Sequence, residues 1–178
     1  MSNIQAQIPQ KFTGILQLAV SYGTPSYDQL DAIQDKIMAM DKRWHPVEKL
    51  HCTLLHQSFP KKVSNTEGLR GDKALKALFK SPEKPSGEAT LQLGSFFHCQ
   101  DLATGRESIG VWVEGPMPEQ MRDEILQSAG INVDEIFQTF TGEEASRKYH
   151  ISLANLTGNG GDSPAYPTPA NTSSIELQ

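Results

Sequence analysis

The chain has 178 residues, 37% of them hydrophobic, and a formal net charge of −5, which suits one domain with its own core and excludes a long nucleic-acid duplex as the main ligand, since duplex binders carry a basic face. A small anionic ligand in a local basic pocket stays compatible with that charge. Two cysteines, Cys52 and Cys99, make no disulfide framework, no stretch approaches the ~20 apolar residues that span a bilayer, and the first residues lack the basic-then-apolar pattern of a secretion signal, so a reducing cytoplasm and no membrane partner are expected.

Residues 1–11 are polar with one proline and read as a flexible lead-in. The apolar run 15–20 is expected to be a central strand. Thr24-Pro25-Ser26 then opens a helix, with threonine or serine as cap and proline in the first turn. Leu30, Ile33, Ile37 and Met40 recur at helical spacing and give that helix one buried face, while Asp28, Asp31 and Asp35 lie towards solvent. Trp44-His45-Pro46-Val47 breaks the helix and leads into a strand over 49–56. A basic, polar loop covers 59–71, followed by a short helix over 72–80 and a proline-rich loop. Strands over 88–98 and 107–114, joined through Thr104-Gly105, form a hairpin. Pro116-Met117-Pro118 starts a second helix with Met121, Ile125 and Leu126 on its buried face, and Gly130 suits the position just past its end. Residues 131–148 fit no single element. The last strand runs over 148–156, and the glycine- and proline-rich stretch 158–178 reads as a surface loop with a disordered tail. The expected fold is α+β, with mostly antiparallel sheet, flanking helices and one domain over 12–157.

Two segments in this order match each other: Leu50-His51-Cys52-Thr53-Leu54 and Tyr149-His150-Ile151-Ser152-Leu153. Strand side chains alternate between faces, so His51 and Thr53 point one way and Cys52 and Leu54 the other; His150 and Ser152 likewise share a face. If the two strands lie side by side, two imidazoles and two hydroxyls converge. That set suits general acid–base chemistry without a metal or a covalent nucleophile. A lone histidine on a strand is more often structural, and it is the pairing that reverses this. A zinc site drawn from His51, Cys52, His56, His98 and Cys99 is weakened by the same alternation, which sends neighbouring candidates to opposite faces. Lys61, Lys62 and Arg70 form a basic loop after the first motif, either plainly solvated or a flap that neutralises phosphate. Asn155 follows the second motif closely enough to contact a phosphate, although a plain turn explains it too. One of Phe96 and Phe97, or Trp112, or Tyr22, is placed to line the cleft.

The pair of His-x-Thr/Ser motifs, with their hydrophobic flanks, resembles the signature of the 2H phosphoesterase superfamily. The likeness covers about residues 15–156, with Ser152 where threonine is commoner; serine keeps the hydroxyl. The resemblance implies a bilobal, pseudo-twofold fold and a metal-independent phosphodiesterase without cofactors, in which His51 and His150 share the acid and base roles and Thr53 and Ser152 donate to phosphoryl oxygens. The implied partners are small ribonucleotides. Cyclic oligonucleotide signals stand first, as for the compact phage phosphodiesterases that disarm CBASS immunity in the host cytoplasm. 2′,3′-cyclic phosphates and 2′–5′ RNA ends come next, and the alternative of another class is a module that binds a nucleotide without cleaving it.

Overall fold

The structure, a computed structural model, describes residues 3–8, 16–55, 87–128, 130–135, 148–156 and 167–177. In chain order they form β1 (Asn3–Gln7), β2 (Leu16–Ala19), α1 (Pro25–Met40), β3 (Trp44–Pro46), β4 (His51–Leu55), β5 (Glu88–Asp101), β6 (Arg106–Glu114), α2 (Met117–Ser128), β7 (Tyr149–Leu156) and β8 (Thr172–Ile175). The fold is α+β, and the pairings between these strands are antiparallel. The hydrogen-bonded path runs β1-β2-β4-β7-β6-β5, and β5 pairs back onto β1, so six strands close on themselves. Two short strands extend this ring: β3 pairs with the end of β7, and β8 with the second half of β5.

Two bulges mark where long strands change partner. On β7, Ser152 faces Gly110 and Ala154 faces Ile109, leaving Leu153 as the extra residue. Before it β7 pairs with β4, and after it with β3. On β5, Leu93 faces Val113 and Phe96 faces Val111, so Gly94 and Ser95 share a single opposite residue. Before this point β5 pairs with β1, and after it with β8. A bulge bends and retwists its strand, which turns each strand from one neighbour towards the other.

One face of the sheet is apolar: Ile4, Leu18, Cys52, Leu54, Leu91, Val111, Ile151 and Leu153 are buried in one core with Leu30, Ile33 and Ile37 of α1 and Ile125 and Leu126 of α2. Helix α1 starts where the sequence predicts. The Thr24 hydroxyl accepts from the Tyr27 N–H at 3.2 Å, satisfying a donor that the first turn leaves open. Its buried Gln34 donates to the carbonyls of Val47 and Leu153, both at 2.9 Å, so the helix holds the β7 bulge as well as the β3–β4 link. Helix α2 ends as expected at Gly130, with φ +78°, and N–H groups of Gly130 and Ile131 return to the carbonyls of Gln127 and Leu126. Arg122 of α2 is buried and donates to the Tyr149 hydroxyl at 3.1 Å, with Asp123 and Glu119 beside it.

Several expectations need correction. The stretch expected as a flexible lead-in contains β1, whose Ile4 and Ala6 are fully buried. The stretch expected as loop and tail contains β8, with Leu177 buried beyond it. Trp44-His45-Pro46 is a strand rather than a mere helix break. Met40, placed on the buried face of α1, is exposed because the core contacts of that helix end at Ile37. The basic loop over 59–71 and the short helix over 72–80 lie outside the described residues. Among the described residues, no helix is long and apolar enough to cross a membrane.

Candidate functional site

Local burial sorts the two motifs as alternation requires. Cys52 and Leu54 of β4 are buried while His51 and Thr53 are half-buried; Tyr149, Ile151 and Leu153 of β7 are buried while His150 and Ser152 are half-buried. Apolar partners on one face hold both strands down, which fixes the polar residues on the other.

The register then joins the motifs. Cys52 pairs with Ile151, so the centres of the two triplets are directly opposite. Because the strands are antiparallel, His51 stands beside Ser152 and Thr53 beside His150. Directly opposite Cβ atoms in such a pair lie about 5 Å apart and diagonal ones about 7–8 Å. The two imidazoles occupy one diagonal of the quartet and the two hydroxyls the other.

The flanking strands complete the face. On the β4 side, Gln17 and Ala19 of β2 pair with Thr53 and His51. On the β7 side, Gly110 and Trp112 of β6 pair with Ser152 and His150. Phe97 of β5 pairs with Gly110. A Cβ on Gly110 would sit 2.5 Å from Phe97 Cζ and 2.7 Å from the Ile151 carbonyl oxygen. Glycine there lets the Phe97 ring lie close over the strand and pack on Trp112, with ring centres 4.3 Å apart. Both rings meet His150 edge to face, at 5.8 and 6.1 Å. His150 therefore stands against an aromatic wall.

His51 is held differently. Its Nδ1 lies 2.8 Å from the carbonyl oxygen of Lys49. A carbonyl can only accept, so Nδ1 carries the proton in this bond and the Nε2 of the neutral ring bears the free lone pair. The proton acceptor of this tautomer is therefore Nε2, the nitrogen that does not face Lys49.

Asn155 shares the face of Ser152 because the bulge at Leu153 shifts the alternation by one residue; it pairs with Ser108 on one side and His45 on the other. Lys61, Lys62, Arg70 and His56 lie outside the described residues. Tyr22 is exposed and packs edge-on against Tyr27. Phe96 belongs to the core and Phe97 to the site face. In the zinc set, Cys52 is buried on the face opposite His51, His98 Nε2 bonds Glu107 at 3.0 Å, and Cys99 Sγ faces Asn171. Among the described residues no three of His, Cys, Asp and Glu are grouped to hold a metal ion. The sequence reading missed Gly110 and the Lys49 carbonyl, which only the register and the backbone path reveal. It also passed over Lys148, whose Nζ lies 4.3 Å from the centre of the Trp112 ring.

No family model and no curated protein matches this chain. What the quartet offers follows from its own chemistry: two imidazoles, which can accept and donate protons, and two hydroxyl donors, side by side on one face of the sheet.

Proposed function

We propose that the chain is a metal-independent phosphodiesterase acting on small ribonucleotides, with His51, Thr53, His150 and Ser152 as its site. The observation that carries this reading is the pairing of Cys52 with Ile151, which brings the four groups next to one another on one face of the sheet. The bond from His51 Nδ1 to Lys49 supports His51 as the base. Its Nε2 takes the proton of the attacking hydroxyl, a ribose 2′-OH or water. The oxygen so freed forms a bond to phosphorus while the bond to the departing oxygen breaks, and protonated His150 gives that oxygen its proton. Thr53 and Ser152 donate to the nonbridging phosphoryl oxygens, where negative charge grows. Opening a 2′,3′-cyclic phosphate runs the same two groups in exchanged roles.

The local twofold relation of the quartet also supports a pseudo-twofold, bilobal arrangement like that of the 2H phosphoesterases. The net charge of −5 favours a small nucleotide over a duplex, and cyclic oligonucleotide signals, an anti-CBASS role, are the leading substrate class. The test is product formation in EDTA from cyclic dinucleotides, cyclic trinucleotides, 2′,3′-cyclic mononucleotides and 2′–5′ dinucleotides. Cleavage that EDTA leaves intact supports the proposal. Activity lost in EDTA and restored by a divalent metal ends the metal-independent reading, and binding without product replaces the enzyme by a nucleotide-binding module.

A further inference from the structure

We infer that Lys148 is a second phosphate contact of this site and makes it favour ligands that carry a neighbouring phosphodiester or phosphate. The inference rests on the reading of the quartet as a nucleotide site. Lys148 immediately precedes β7, two residues before His150, so strand alternation puts the two on the same face, about 7 Å apart along the strand. The side chain confirms that direction: its Nζ lies 4.3 Å from the centre of the Trp112 ring, and Trp112 is the cross-strand neighbour of His150, with ring centres 6.1 Å apart. The ammonium is therefore no farther from the imidazole than those two lengths laid end to end.

An indole face fixes an ammonium without cancelling its charge, which a carboxylate would do. Glu114, on the same face of β6, is turned elsewhere, with its carboxylate over Gly94 of β5. No ion pair joins Glu114 to Lys148 among the described residues. Lys148 is exposed, so a positive charge stands at the edge of the quartet in a protein of net charge −5. A phosphoryl group held between His51 and His150 occupies the quartet alone. A second phosphate on the same ligand, one nucleotide along, falls on the Lys148 side. A ligand with a single phosphate makes no such contact.

Binding separates this inference from catalysis. In a His51→Ala background, titration calorimetry compares a cyclic dinucleotide, a linear 5′-phosphorylated dinucleotide and a 2′,3′-cyclic mononucleotide, with and without Lys148→Gln. Lys148→Gln is expected to weaken the two-phosphate ligands about tenfold, to lower their salt slope by close to one phosphate contact, and to reduce their preference over the mononucleotide by the same factor; Lys148→Arg restores the preference. Whichever two-phosphate ligand responds more identifies whether the ring or the free end is the source. An equal loss for all three ligands, or no loss for any, overturns the role of Lys148. If none of the three binds, both readings fall. Discrimination by Lys148 in a protein that cleaves nothing retires the phosphodiesterase and keeps the contact.

Discussion

His51 and His150 sit in similar sequence motifs but have different neighbours in space, and this asymmetry predicts different responses to the same substitution. His51→Ala or His150→Ala should each lower turnover at least about a hundredfold, the usual scale for a general acid or base. A ribonucleoside 3′-(p-nitrophenyl) phosphate separates them, because p-nitrophenolate departs without a proton. His150→Ala should recover most of its loss on this substrate, and His51→Ala should not; the reverse pattern would exchange the assigned roles. The other residue of note is Cys99. Burial pushes its thiol up to about 11, with Asp101 acting in the same direction and a hydrogen bond to Ser108 opposing. The folded chain therefore keeps a proton that the unfolded chain loses near the ordinary 9.0. Stability should fall as pH rises from 9 to about 11, and it should fall less steeply in Cys99→Ala. Denaturant midpoints across that range measure the two slopes, and equal slopes would contradict the burial of this thiol.

At the scale of elements, the site depends on how closely β5, β6 and β7 approach. Gly110 lies between Phe97 and the Ile151 carbonyl, and neither has room to give: Phe97 is 1% exposed, and the carbonyl belongs to the backbone between His150 and Ser152. Gly110→Ala should destabilise by about 1–3 kcal/mol, as overpacking does. It should also lower turnover well below the melting transition, because relief of the clash moves the peptide that joins the two motif residues. Calorimetry and turnover at 25 °C check both, and a stable, fully active variant would show that β6 and β7 can separate without affecting the quartet. The sequence made the faces of β4 and β7 legible, because an alternating apolar set has only one way to be buried. It did not make the neighbours legible. A period of two says which face a residue takes and nothing about which strand lies alongside, so Trp112 and Phe97 were only candidates for the cleft until the hairpin register and its bulge placed them. Arg122 was hidden for a related reason: a charged residue on α2 reads as solvated unless its partner, the Tyr149 hydroxyl, is known to come up beneath it.

The whole molecule turns on the ring of six strands, and both of its misread ends bear on that. Asn3-Ile4-Gln5-Ala6-Gln7 carries a strand alternation, but its polar residues outweigh two apolar ones, and burial of Ile4 and Ala6 exists only once β5 is alongside. Thr172–Ile175 has one apolar residue after a glycine- and proline-rich stretch and gains its pairing from β5 alone. Their roles differ. β1 pairs with β5 along its whole length and touches β2 at Gln7 opposite Ala19, so it closes the ladder between the first strand pair and the rest. Its Gln5 N–H, on the side where β2 diverges, donates to the Ser26 hydroxyl at 2.8 Å and ties the strand to the start of α1. β8 only extends an edge. Ile4 is fully buried in the common core, whereas Ile175 is only partly buried against it. Ile4→Ala should therefore destabilise by about 2–5 kcal/mol, the range for deleting a large core side chain, in a single urea transition. It should speed amide exchange in β4, which the ring connects to β1 through β2. Ile175→Ala should destabilise less and speed exchange only near β8 and the second half of β5. Exchange confined to β1 and β5 in the Ile4 variant, with β4 still protected, would mean that the two ends of the ladder unfold independently and that the closure through β1 carries no cooperativity.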